Sequence, residues 1–141
     1  MSRRHTQAVK AKIQEIAALA TKTHLGIAQK DSAGKIPAPP LVLIHPAGGT
    51  DTQERLAGPR STQHPRFTLH IVGSSVDNVE TIRDAVKAKF VVNGRGVPPT
   101  VAGEVTSALS WDEPTPIQWD TDLTPPVPYA VVELGFTADP V

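Results

Sequence analysis

Hydrophobic residues recur at helical spacing in two segments of the chain. In the first segment, roughly Thr6 to Lys22, they are three or four positions apart and form one stripe: Val9, Ile13, Ile16 and Ala20. In the second segment a similar stripe follows two serines: Val79, Ile82, Val86 and Phe90. Ser74 or Ser75 can cap this second helix, and Asn93-Gly94 is expected to end it. The pattern therefore predicts two amphipathic helices, each of which buries one face.

Shorter apolar segments predict strands around these helices. A short strand is expected near His24 to Ala28. The run LVLIHP from Leu41 does not alternate, which is typical of a strand that is covered on both faces or central in a sheet. The segments RFTLHIVG and AVVELGFT alternate apolar and polar positions with the period of two that indicates half-buried strands. Val101 to Trp111 predicts a further strand of mixed character. The residues expected to be buried between sheet and helices include Leu43, Leu69, Ile82, Val86, Val132 and Leu134.

Two segments follow neither period. From Ala47 to Pro65 the chain is rich in Gly, Thr, Gln and charged residues, which predicts a long loop or, alternatively, a long hairpin arm. From Glu113 to Pro128 it is rich in proline, which predicts an extended arm or an ordered loop. A single domain spanning residues 1–141 accommodates all of these elements. The predicted fold class is α+β: a small mixed, largely antiparallel sheet with two helices packed on one face, a long loop or hairpin arm and a Pro-rich C-terminal arm.

Composition narrows the kinds of site that the chain can hold. It has 14 Lys plus Arg, 14 Asp plus Glu and no cysteine. Without cysteine there are no disulfides, thiolate metal sites or cysteine nucleophiles. The chain has no excess of basic residues, which proteins that bind nucleic-acid phosphates usually have. A net charge near zero also permits close association of identical subunits. No apolar run approaches the roughly 20 residues that span a bilayer, so we expect a protein made in the cytoplasm without a membrane partner.

The motif LVLIHPAGG is the strongest enzymatic feature. A strand followed by His-Pro-x-Gly-Gly resembles the oxyanion-hole turn of α/β-hydrolases, in which backbone amides face a developing negative charge. The sequence lacks the Gly-x-Ser-x-Gly nucleophile elbow of that class, and its Ser74-Ser75 pair begins a predicted helix instead. We therefore expect no catalytic residues, and we expect Gly48 and Gly49 to serve a turn after a strand.

Metal and cofactor sites are not expected either. The five histidines show no i, i+4 pair of the kind that binds metal on a helix, and His70 is expected to be a partly exposed sheet residue. The acidic pairs Asp112-Glu113 and Asp120/Asp122 lie among prolines without the spacing of a calcium loop. The segment NGRG from Asn93 lacks the lysine of a phosphate-binding loop.

The two predicted arms contain the candidate interface residues. Aromatic rings among prolines can anchor an extended arm in a pocket, which selects Trp111 and Trp119. Charged residues of opposite sign complete the set: Arg55, Arg60, Asp120 and Asp122. On charge alone, the arginines are expected to pair with the aspartates across an interface between subunits.

Three segments, in this order, are similar to the tail terminator family of long-tailed bacteriophages of the siphophage type, especially those of actinobacterial phages. The segments are LVLIHPAGGTDTQERLAG, RFTLHIVGSSVDNVETIRDAVKAKF and PTPIQWDTDLTPPVPYAVVELGFTADP. They cover most of the chain from Leu41 onward. The family more often has a tyrosine at the position of His45 and a more basic stretch near Gln118.

The resemblance implies a virion structural protein without enzymatic activity or cofactor. It implies an α+β subunit that forms a hexameric ring on the finished tail tube, at the head-proximal end of the tail. Such a ring stops tube polymerisation and offers a surface to the head connector, while DNA passes only as cargo. The implied partners are further copies of the chain, the major tail tube protein and the head connector or neck protein. A head-completion or neck protein of the same architecture is the main alternative, and a small α/β-hydrolase-like enzyme is a distant one.

Overall fold

The computed structural model describes residues 3–28, 34, 37–52, 62–121 and 126–140. Its helices are α1 (Arg3–Gln14) and α2 (Val76–Phe90), and a short 3₁₀ turn covers Ala17–Leu19. The strands are β1 (Thr23–Leu25), β2 (Leu41–Thr52), β3 (Thr62–Val72), β4 (Val91–Val92), β5 (Arg95–Gly96), β6 (Glu104–Asp112), β7 (Gln118–Asp120) and β8 (Val127–Pro140).

One sheet contains six of these strands in the order β1-β2-β3-β8-β6, and β7 also pairs with β8. The β1–β2 pair is parallel, and the other pairs are antiparallel. The strands β4 and β5 form a separate hairpin directly after α2. The predicted α+β class, with two helices and a mixed, mostly antiparallel sheet, is confirmed.

The hydrophobic core fills one face of the six-stranded sheet. Buried residues of β3 lie beside buried residues of β8 in the register: Phe67, Leu69 and Ile71 opposite Leu134, Val132 and Ala130. The apolar stripes of both helices belong to the same buried cluster: Val9 and Ile13 from α1, and Val79, Ile82, Val86 and Phe90 from α2. The expectation for Leu43 is wrong, because Val42 and Ile44 take the core side of β2 and leave Leu43 half-buried on the opposite face.

The first helix ends earlier than the sequence predicts. It stops at Gln14, and Ile16 has extended backbone angles (φ −78°, ψ 120°) before the 3₁₀ turn. This break places Leu19 in the core, fully buried, while Ala20 is exposed. Thr23 supports the new chain direction by donating a hydrogen bond from Oγ1 to the Leu19 carbonyl oxygen at 2.8 Å. The i, i+3, i+4 pattern predicted a continuous helix because a 3₁₀ turn buries residues at nearly the same spacing.

The second helix begins as predicted, with a side-chain cap. Ser75 Oγ accepts a hydrogen bond from the backbone nitrogen of Asn78 at 3.1 Å. Asn78 Oδ1 accepts one in return from the backbone nitrogen of Ser74, also at 3.1 Å. Two backbone donors that a helix start leaves unpaired are thereby satisfied. Neither helix in the described part of the chain has the length and apolar character needed to cross a bilayer.

The pair Asn93-Gly94 has a different role from the predicted one. The helix ends at Phe90, and Asn93 and Gly94 form the turn of the β4–β5 hairpin, with φ angles of 53° and 75°. Two successive positive φ angles are what the common two-residue hairpin turn requires, and Asn-Gly is its preferred sequence. The hairpin lies close against β6, since a Cβ atom on Gly96 would collide with the Leu109 carbonyl oxygen.

The polar segment after Pro46 is largely strand. β2 continues to Thr52, β3 begins at Thr62, and the two remain paired to their ends. A β-bulge between Pro46 and Gly49 interrupts the register, and Gly48 there has a φ of 81°. The expected turn at the two glycines is therefore a bulge within a strand. We call residues 47–52 and 62–65 the hairpin arm. The loop interpretation is wrong for these residues, and the alternative of a long hairpin is confirmed for them.

The Pro-rich segment also contains a paired strand. Residues Gln118–Asp120 form β7, which aligns with Val127–Tyr129 at the start of β8. The interpretation of Glu113 to Pro128 as an extended arm or an ordered loop did not include this strand. Pairing to β8 gives β7 a fixed position at the edge of the sheet.

Candidate interaction surface on the open face of the sheet

The two helices cover one face of the sheet and leave the other uncovered by either of them. We call this second surface the open face. It is formed by residues that alternate with core residues along β2, β3 and β8: Leu41, Leu43, His45, Thr68, His70, Val72, Tyr129, Val131 and Glu133. Most of these side chains are half-buried, although no helix packs on them. A partly apolar sheet face on which neither helix packs is a candidate surface for another molecule.

A depression of about 600 Å³ lies at the end of the open face where β2 and β8 begin. Aliphatic side chains and a few polar groups line it, among them Leu41, Leu43, Val72, His70, Tyr129 and Asp120. The Tyr129 hydroxyl donates a hydrogen bond to Gln118 Oε1 at 2.8 Å, which ties the ring to β7. Apolar concavities with a small number of placed polar groups are typical binding sites for side chains and small ligands.

A second depression of about 380 Å³ has several charged and polar residues in its lining. Its lining includes Arg66, Thr68, Ser110, Asp112 and Glu133. Asp112 and Glu133 are direct partners in the β6–β8 register, where two carboxylates repel each other. This part of the open face therefore favours a polar partner group, in contrast to the larger depression.

Two histidines stand side by side on the open face. The ring centroids of His45 and His70 are 4.6 Å apart at 56°, and the His70 ring lies 5.8 Å from that of Tyr129. His45 Nε2 is buried and has no hydrogen-bond partner. Burial lowers the pKa of His70 from its usual 6.5, and the neighbouring His45 lowers it further. His70 is therefore neutral at neutral pH, and protonation would place a charge in poorly hydrated surroundings.

We expect His70 to make the fold less stable at acidic pH. The titratable groups that face it are His45 on β2 and Tyr129 and, diagonally, Glu133 on β8. His70 has its usual pKa of 6.5 in the unfolded chain and a lower pKa in the folded one, so the unfolded chain binds the proton first as pH falls. The contribution of His70 to the free energy of unfolding is thus complete above 6.5 and is lost on acidification through the folded pKa.

Urea denaturation at neutral and at mildly acidic pH measures this effect. His70→Asn should reduce the loss of unfolding free energy between the two conditions. Thr68→Asn, which changes an open-face residue of the same strand and removes no titratable group, is the matched control and should keep the wild-type loss. An identical pH dependence in wild type and His70→Asn would contradict the assignment.

The described residues contain no cluster of metal-ligating side chains. In the ranges that the structure covers, no three His, Asp or Glu side chains come together in a way that could hold a metal ion. Residues Pro46 to Gly49 continue along β3 in an antiparallel pair. The oxyanion-hole turn of a hydrolase leads from a strand into a loop, so this segment does not reproduce it.

Two of the predicted interface residues lie at the larger depression. Trp119 and Asp120 belong to β7, and both line the depression. Trp119 is 52% exposed, which is unusual for a side chain of its size and apolar character. Arg55, Arg60 and Asp122 lie outside the described residues.

Trp111 has a different environment from Trp119. It lies on the core side of β6, where its ring stacks on Phe90 with centroids 6.2 Å apart. Its Nε1 donates a hydrogen bond to Glu113 Oε1 at 3.2 Å. Trp111 thus packs against the core of its own subunit, and a role at an interface stays a prediction.

The apolar run LVLI does not by itself reveal that its first and third residues line the depression. Leu41 and Val72 are direct partners in the β2–β3 register, and Leu43 lies opposite His70. A continuous apolar run such as LVLI hides which positions share a face. The signal that could find them is parity, since Leu41 and Leu43 must point away from Val42 and Ile44 in any strand.

Comparison of the sequence with models of known protein families and with curated proteins finds no match.

Proposed function

We propose that this chain is a structural virion protein that forms a homo-oligomeric ring at the head-proximal end of a phage tail tube. The ring stops polymerisation of the tube and offers the surface to which the head connector or neck protein joins. The observation that carries this proposal is the open face of the sheet, with an apolar depression at one end and the hairpin arm at the other.

Such an open face suits a subunit that buries apolar surface against neighbouring subunits. A strand hairpin and a separate concave surface on the same subunit permit heterologous contacts, which generate closed rings when the rotation between subunits fits. Equal numbers of acidic and basic residues reduce the repulsion between identical copies.

The segments with sequence similarity to tail terminators also lie together. They form β2 with the hairpin arm, β3 with α2, and β7 with β8. The strands β2, β3 and β8 are neighbours in the sheet and build the open face. The resemblance therefore concerns one continuous surface rather than scattered elements.

Deletion of the coding sequence from the phage genome that carries it tests the proposal. Without a protein that ends polymerisation, tail tubes should grow beyond the wild-type length, and they should not join heads. Electron microscopy measures tail length and the fraction of tails with heads. Expression of the intact chain from a plasmid should restore both.

The neck-protein alternative predicts a different phenotype. Tails should then have the wild-type length and fail only to join heads. Labelled protein distributed along the tube, or normal infectious particles after deletion, would overturn the tail-end role.

A further inference from the structure

The β4–β5 hairpin presents an aliphatic side chain and a cation on the same face. Every residue from 92 to 97 is exposed, and the Val92 and Val97 side chains are 46% and 38% exposed. Val92 is the direct partner of Arg95 in the register, so their Cβ atoms lie on one side of the hairpin, about 4.5–5.5 Å apart. Within the described part of the chain, Arg95 forms no ion pair. The hairpin therefore offers both an apolar and a charged contact to another molecule.

Contacts at its base hold the β4–β5 hairpin in one position. The backbone nitrogen of Val97 donates a hydrogen bond to the Phe90 carbonyl oxygen at 2.6 Å. Gly96 lies so close to the Leu109 carbonyl oxygen that a Cβ atom would have no space. The preferred turn sequence Asn93-Gly94 closes the hairpin. A surface that is ordered before binding loses less conformational entropy on association than a flexible one.

The second depression on the open face is complementary to these two groups. Asp112 and Glu133 line it side by side, and among the described residues neither carboxylate forms an ion pair. Arg66 also lines the depression without an ion pair to either of them. Val131 is half-buried on the same side of β8 as Glu133, two residues away and so about 7 Å along the strand. An aliphatic side chain thus lies next to two carboxylates that repel each other.

The hairpin of the same subunit does not reach this depression. Phe90, directly before the hairpin, stacks on Trp111, which lies on the core side of β6. Asp112 is the next residue, so its side chain projects from the opposite face of the sheet. The hairpin therefore begins on the helix side of the sheet, whereas the depression opens on the other side. Because Gly96 is held against Leu109, any hairpin in the depression belongs to another copy.

We infer that the second depression binds the β4–β5 hairpin of a second copy of this chain. The Arg95 guanidinium lies between the carboxylates of Asp112 and Glu133 and donates hydrogen bonds to both, which removes their mutual repulsion. Val92 packs on Val131 beside them. The inference rests on the proposed ring and names a contact within it. Each subunit offers its hairpin to one neighbour and its depression to the other, which is the head-to-tail arrangement that closes into a ring.

Because the chain has no cysteine, a single disulfide can report this contact. Purified Val92→Cys is mixed with purified Thr68→Cys, whose substituted residue lines the second depression opposite Glu133. Oxidation should give a disulfide-linked heterodimer, which requires the two Cα atoms to approach within about 7 Å. The matched control replaces Thr68→Cys with Thr81→Cys, an exposed position on α2 at the other side of the sheet. We expect at least about tenfold more heterodimer than in the control, and equal yields would overturn the inference.

Charge reversal tests the role of Arg95. Adding Arg95→Glu to the Val92→Cys variant should reduce the heterodimer yield by about tenfold, because three carboxylates would then meet. Adding Glu133→Arg to the Thr68→Cys variant should restore the yield with this partner. Both changed residues are exposed, so each variant should melt like its parent. A yield that ignores both changes would show that Arg95 does not meet the carboxylates.

A photoreactive group attached to Val92→Cys identifies the partner of the hairpin in assembled particles. An adduct with β3, β6 or β8 of the same chain supports the inference, and an adduct with a tail tube or head protein overturns it. The disulfide experiment uses purified protein alone, so its failure leaves the tail-length phenotype to decide the proposed function. Conversely, normal tail length after deletion would reject tail capping without affecting the contact between copies.

Discussion

Leu134→Ala should lower the free energy of unfolding by about 2–5 kcal/mol. Leu134 is 2% exposed, with Phe67 opposite it on β3 and Trp111 opposite it on β6. Because hydrogen bonds hold β8 to strands on both sides, the sheet cannot close around the missing methyl groups. Urea denaturation monitored by circular dichroism measures the loss.

Leu43→Ala is the control for this prediction. It makes the same chemical change on the same sheet, but Leu43 is only half-buried and lies on the open face. We expect a loss below about 2 kcal/mol, because less apolar surface leaves water on folding. Equal losses for the two variants would show that the open face is covered as fully as the core.

His5→Ala should destabilise the fold by about 1–3 kcal/mol, the cost of leaving a buried polar group without its hydrogen-bond partner. His5 Nε2 lies 2.6 Å from Glu104 Oε2, and their side chains are 0% and 6% exposed. The His5 ring also meets Phe136 edge-on, with centroids 6.0 Å apart. The change leaves a buried carboxylate without its nearest partner and detaches the start of α1 from β6. Arg4, whose Nη2 is 3.5 Å from Glu104 Oε1, compensates in part.

Two further variants separate the pair from its surroundings. Arg4→Ala should cost less than about 1 kcal/mol, because the Arg4 side chain is 62% exposed and surface ion pairs contribute little. The double variant His5→Ala/Glu104→Ala should cost less than the sum of the single changes, since it removes the unpaired charge. If His5→Ala alone melted like the wild type, the pair would not anchor α1 to β6.

The periodicity of apolar residues predicts those helices and strands that bury one face against the core. The stripe Val79, Ile82, Val86 and Phe90 and the alternation in β8 both reflect a core on one side, and both are found. The end of α1 depends instead on which residue reaches the core after the helix, and Leu19 does so through a 3₁₀ turn. The pattern contains no information on that choice.

Pairing between distant segments is harder to predict than local structure. The hairpin arm has the composition of a loop. It nevertheless forms two strands, because its two halves pair with each other. The role of Asn93-Gly94 as a hairpin turn likewise depends on the docking of β5 against β6 at Leu109. Among the candidate interface residues within the described ranges, Trp119 and Asp120 lie at the depression, where the pairing of β7 with β8 places them.

The central position of β8 affects how the chain folds. β8 lies between β3 and β6, both of which precede it in the sequence, and the hydrogen bond from Thr62 to Asp139 joins residues 77 positions apart. Until β8 is inserted, β3 and β6 expose unpaired edges, and the core residues of β3 lack their neighbours on β8. Contacts of such long separation slow folding, and exposed edges favour aggregation of the intermediate. Insertion of β8 is therefore the step at which correct folding and aggregation compete.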